Sequence, residues 1–184
     1  MYRKKKLTNG ESYDDTEVRN KVIEFGKEIL GLQLKHHPKQ RKIDLIGIDD
    51  PELGVEVERG GWNDNFWETP SYCDISGQEF STVNIPIRKE KFWKEYNMWF
   101  GKLKYNVSWK KNIFVRTNKK FTQIIVIRPE VITDPAKAYR TRFQANNCDE
   151  IEDWLSFKKE DVETYNLING KYVLQNERNI EGSD

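Results

Sequence analysis

Two apolar, β-branched runs interrupted by carboxylates constrain this chain more than any other feature. Lys42-Ile43-Asp44-Leu45-Ile46-Gly47-Ile48 and Gly54-Val55-Glu56-Val57-Glu58-Arg59-Gly60 read as adjacent β-strands, with Asp49-Asp50-Pro51-Glu52-Leu53 as the turn. Side chains alternate faces along a strand, so Glu56 and Glu58 share one face while Val55 and Val57 take the other. A charge next to a core is stable only when it is paired or binds a metal. Asp44 on the neighbouring strand can reach the same face as the two glutamates. The spacing therefore predicts an all-oxygen site for Mg²⁺ or Mn²⁺, of the kind that activates water for phosphodiester cleavage. The plainer reading is that Glu56 and Glu58 line the wet face of a half-exposed hairpin, since charged residues make up 33% of the chain.

At 184 residues the chain is expected to form one domain over 13–184, behind a loose basic segment at 1–12. No apolar run approaches the length of a transmembrane helix. The start, Met1-Tyr2-Arg3-Lys4-Lys5-Lys6, has no apolar stretch behind it and is not read as a signal peptide. Cys73 and Cys148 are far apart and have no metal-ligand spacing, so neither a zinc site nor a disulfide framework is expected, and a cytoplasmic location, with a phage origin open, is the default. Net charge is only +1, but residues 85–128 carry twelve Lys or Arg against two Glu. Residues 149–184 reverse the balance, with ten acids against four bases. A basic middle and an acidic tail fit a nucleic-acid surface about as well as an ordinary solvated face.

Asp14 or Asp15 can cap a helix running to about Leu30 and stopped by Gly31. Glu17 falls in its first turn, where the helix dipole favours a carboxylate. A short strand at Gln33–His36, the hairpin, a long excursion over 60–82, a strand at Val83–Arg88 and a second hairpin around Asn118-Lys119-Lys120 follow. A short strand near Arg142 and a final pair at Leu167–Leu174 complete the pattern. The order predicts an α/β fold with a central mixed β-sheet flanked by helices.

This succession of helix, strand with Asp, and strand with Glu-x-Glu resembles the PD-(D/E)xK nuclease superfamily over residues 14–127. The resemblance implies a restriction-endonuclease-like core and a Mg²⁺- or Mn²⁺-dependent DNA endonuclease, probing duplex DNA as a homodimer. It makes Asp44, Glu56, the Val57 carbonyl and Glu17 the metal ligands, and Asp44, Glu56, Glu58 and Lys89 the catalytic set. Glu58 departs from the family pattern, which has lysine there. Lys89, at the end of the strand Ile85-Pro86-Ile87-Arg88, is the candidate substitute, ahead of Lys91. Restriction, homing and junction-resolving enzymes share such a core. A catalytically inactive nucleic-acid-binding module with the same fold is the alternative.

Lys39, Arg41, Lys42, Arg88, Lys110 and Lys111, with Lys102 and Lys104, are candidate phosphate contacts. Trp62, in a loop that also holds Phe66, Trp67 and Tyr72, is a candidate for stacking on bases, although such aromatics more often close a loop over the core. His36 and His37 are adjacent and point in different directions, a poor metal pair. Four crowded carboxylates should repel, so both a divalent ion and Asp44→Asn are expected to raise the melting temperature.

Overall fold

The β-branched runs pair as their alternation requires, and a parallel partner from far along the chain completes the sheet around them. The computed structural model describes residues 5–6, 12–13, 15–38, 43–50, 52–60, 65–67, 72–73, 79–80, 82–93, 109–144 and 151–175. Ten strands of three or more residues are β1 (Leu34–His36), β2 (Leu45–Gly47), β3 (Gly54–Arg59), β4 (Thr82–Pro86), β5 (Ile113–Thr117), β6 (Gln123–Ile127), β7 (Tyr139–Gln144), β8 (Ile151–Lys158), β9 (Glu163–Ile168) and β10 (Lys171–Leu174). Seven of them form one mixed sheet in the order β10-β9-β6-β5-β3-β2-β1. Only the β3–β5 pair is parallel, with Glu56 opposite Phe114 and Glu58 opposite Arg116. The other neighbours in this sheet run antiparallel.

Helix α1 (Asp15–Phe25) continues through a wider turn, Gly26–Leu30, and stops at Gly31 in the left-handed conformation (φ 66°), the backbone geometry that favours glycine after a helix. It lies on one face of the sheet. Val18, Val22 and Phe25 bury against Leu45, Val55, Val57, Ile113, Val115, Ile124 and Val126. The opposite face is covered by a second, three-stranded antiparallel sheet, β7-β8-β4, and by the single-turn helix α2 (Pro129–Ile132). Here Val83, Ile85, Leu155 and Phe157 pack on Phe114, Ile125 and Ile127. The strict alternation along β6, with Ile124 and Val126 facing α1 and Ile125 and Ile127 facing the second sheet, shows why the run is apolar throughout: both sides are buried.

The mixed α/β architecture agrees with the sequence, but the flanking layers do not. Among the described residues the long helix α1 covers one face, and the other is covered mainly by a sheet, with only the single turn of α2 in place of a second helical layer. Strand β8, eight residues long, has charged residues at Glu152, Asp153 and Lys158 that obscure its pattern. Strand β4 ends at Pro86, and Ile87–Phe92 turns as a 3₁₀ segment rather than extending the strand to Arg88. At the N-terminus, Lys5–Lys6 pairs with Ser12–Tyr13. Among the described residues no helix is long and apolar enough to cross a membrane.

Candidate active site

The hairpin β2–β3 opens at one end, and the candidate site lies at that opening. The last ladder pair is Leu45 with Val55. Beyond it the strands part, and the Val57 N–H donates instead to the Asp44 carboxylate, at 2.9 Å to Oδ2. A side chain thus caps a backbone donor that a continuing strand would have bonded. The Val57 carbonyl leaves the strand on the same edge, as strand geometry requires. The Asp44 main-chain carbonyl is fixed as well, accepting from the His37 N–H at 3.0 Å.

The pleat of β3 directs Glu56 and Glu58 toward the face covered by the second sheet. Glu56 is only 6% exposed. Its Oε1 meets the Lys89 ammonium at 2.8 Å, and Glu58 Oε2 lies 3.9 Å from the same nitrogen. Lys89 arrives from the 3₁₀ segment after β4, with its ammonium 6.0 Å from the centre of the Phe114 ring. Glu56 Oε2 and Glu58 Oε2 are both buried without a hydrogen-bond partner. Burial pushes the Glu56 carboxyl up to about 7, against the attraction of Lys89, and nearby Asp44 and Glu58 push it further in the same direction. For Lys89, burial favours the neutral amine, but the pull of Glu56, Glu58 and Asp44 wins and raises its pKa above the ordinary lysine value.

Arg19 on α1 answers the third carboxylate. Its Nε donates to Asp44 Oδ1 at 3.0 Å, and its Nη2 donates to the same oxygen. Arg116 of β5 stands opposite Glu58. Its Nη1 donates to the Asn84 carbonyl at 3.2 Å and its guanidinium lies 5.4 Å from the Phe66 ring centre. Neither arginine stands out in the sequence as part of a site. A signal was present for both: Arg19 precedes Val22 and Gly26 by three and seven residues, on the helical face turned to the sheet, and Arg116 is two residues from the buried Phe114 on one strand face.

Asp44, Glu56, Glu58, Val57 and Lys89 are therefore brought together. Glu17 is not. It lies on α1, so the sheet separates it from Glu56 and Glu58, and it is largely exposed with Arg59 at 3.5 Å. Lys111 is held by Asp50 at 2.8 Å and Glu52 at 3.4 Å beside the hairpin turn, and Lys110 is exposed. Arg88 shares the 3₁₀ segment with Lys89. Lys39, Arg41, Lys42, Trp62, Lys102 and Lys104 lie outside the described residues. Trp67 is a core residue, its indole N–H donating to Thr164 Oγ1 at 3.1 Å. His36 Nε2 lies 2.7 Å from Asn20 Oδ1.

The donors suit a hard divalent ion in kind, since all are oxygens and two are buried with no hydrogen-bond partner. As the side chains stand, no three acidic, His or Cys residues among those described converge closely enough to hold a metal ion. Lys89 sits between the glutamates, and Arg19 engages Asp44. The crowd of carboxylates is thus partly neutralised from within, and this geometry argues against a stabilising Asp44→Asn, because Asp44 anchors both Arg19 and the Val57 N–H. Comparison with protein-family models, with curated proteins and with solved structures found no match for this chain.

Proposed function

We propose that this chain is a divalent-metal-dependent endodeoxyribonuclease of the PD-(D/E)xK type, hydrolysing phosphodiester bonds of duplex DNA. The observation that carries the reading is the meeting of Glu56, Glu58 and the Lys89 ammonium beside Asp44, where β2 and β3 part. Lys89 then fills the role left open by Glu58. A lysine from a separate element reaches the carboxylates that the strand supplies. Asp44, Glu56 and the Val57 carbonyl are the groups that would hold Mg²⁺ or Mn²⁺. A bound ion supplies Lewis-acid polarisation of the phosphate and a more acidic water. Lys89 is placed to donate a hydrogen bond to the attacking water or to a phosphate oxygen, and Glu58 to accept the water's proton. The basic stretch 85–128 supplies charge for the DNA backbone. A double-strand break from one such site per chain needs two chains, so a homodimer on DNA belongs to this proposal.

A specific observation favours the second reading, a catalytically inactive DNA-binding module: Arg19 and Lys89 already answer the carboxylates without a metal. Plasmid nicking and linearisation separates the two. Wild-type protein is expected to cut in Mg²⁺ or Mn²⁺ and not in EDTA, and Lys89→Ala and the double variant Asp44→Ala/Glu56→Ala are expected to lose at least about a hundredfold in rate. Salt-sensitive DNA binding without cutting, unchanged by the double variant, would establish the binding module instead.

A further inference from the structure

One carboxylate of the candidate metal site is already held by a permanent cation from the other side of the sheet. Both Asp44 oxygens are engaged: Oδ1 accepts twice from Arg19, and Oδ2 accepts from the Val57 N–H. The pair is largely withdrawn from water, with the Arg19 and Asp44 side chains 18% and 13% exposed. Asp44 differs in this from Glu56 and Glu58, each of which keeps one oxygen without a hydrogen bond.

A guanidinium stays charged at any pH a protein survives, and a partly buried charge is poorly screened by salt. A divalent ion that comes to Asp44 therefore has to share Oδ1 with Arg19 or displace it, against the repulsion between like charges. The same contact keeps Asp44 at the open end of the β2–β3 hairpin when no ion is there to hold it against Glu56. We propose that Arg19 is a positioning residue that fixes Asp44 in the metal-free protein and thereby sets how weakly the site takes a divalent cation. This rests on Asp44 being a metal ligand, as in the proposed function.

The test is a Mn²⁺ titration of the full chain followed by thermal shift, with EDTA as the reference, for wild type, Arg19→Met, Arg19→Lys and Asp44→Asn. Arg19→Met should lower the metal-free melting temperature yet move the Mn²⁺ midpoint to about tenfold lower concentration, because a repelling charge is gone. Arg19→Lys, which keeps the charge, should stay within about threefold of wild type. In the Asp44→Asn background Arg19→Met should leave the midpoint where Asp44→Asn alone puts it. If Arg19→Met does not fold, Arg19→Gln, uncharged but still a donor to Oδ1, carries the same expectation. An unchanged or raised midpoint in Arg19→Met overturns the inference, as does an equal shift in the Asp44→Asn background. No Mn²⁺ response in any variant overturns both the inference and the metal site. A Mn²⁺ response that depends on Arg19, with no DNA cleavage, leaves the inference standing and ends the nuclease reading alone.

Discussion

A glutamate on a buried strand face is costly unless something answers its charge, and Glu56 is answered on one oxygen only. Its folded pKa of about 7 lies above its ordinary value of 4.5 because of burial, so folding favours the protonated form. Stability from this group is then fully present below pH 4.5 and is lost as pH rises through about 7. Metal-free wild type should therefore lose on the order of 2–3 kcal/mol between pH 5 and 8 relative to Glu56→Gln, measured by urea unfolding at each pH. Parallel pH profiles for the two proteins would refute the buried, under-partnered carboxylate. At this scale the sequence was informative about chemistry and silent about compensation. Glu-x-Glu in an apolar run reveals Asp44, Glu56 and Glu58, because a charge there has to be explained. Arg19 is one more cation in a chain rich in them, and only its helical phase, seen against the finished sheet, marks it out. The place of Glu17 was unreadable for a related reason: its position before the hairpin says nothing about which face of the sheet the helix covers.

The β2–β3 hairpin depends on its turn as an element. A Cβ on Gly47 would lie 2.3 Å from the Asp50 carbonyl oxygen and 3.1 Å from its carbon, backbone atoms that cannot rotate away. The turn is closed by the Gly47 N–H donating to Leu53 O at 3.0 Å and the Leu53 N–H donating to Asp50 O at 3.1 Å. Gly47→Ala is expected to cost about 1–3 kcal/mol, and, by shifting the end of the hairpin that carries Asp44, to weaken any metal response beyond the loss of stability. Thermal melts with and without Mn²⁺ read both; an unperturbed melt would mean the turn can open without cost. Most elements were legible from apolar period and turn residues: the helix and its Gly31 stop, both hairpins, and the strand before Pro86. What escaped was the 3₁₀ segment that delivers Lys89. Ile85-Pro86-Ile87-Arg88 alternates as a strand does, and only the loss of ladder partners after Pro86 turns the chain aside.

For the molecule as a whole, one sheet carries two cores, one under α1 and one under the second sheet. Alternation along β5 and β6 ties them, since neighbouring residues of the same strand belong to opposite cores. Phe25→Ala on the helical side and Phe157→Ala on the other should each cost about 3–5 kcal/mol. Both should still unfold in one transition, with tryptophan fluorescence from Trp67 and Trp93 coinciding with far-UV circular dichroism. Separated transitions would show that the two layers fold independently. The apolar β6 run announces a strand buried on both faces. Its covering layers were not readable, because charged and polar residues break the apolar pattern of β7 and β8, which meet the main sheet through their tertiary contacts alone.

The parallel pairing of β3 with β5 also has a consequence in time. Glu56 stands in register with Phe114 of the neighbouring strand, 58 residues further along the chain. Closing such a loop carries an entropic cost before any contact rewards it. During synthesis, the hairpin bearing the carboxylates can form as soon as it emerges, yet it stays an open edge until Ile113–Thr117 arrives. The candidate site is therefore completed late in folding, by a strand that contributes none of the acids.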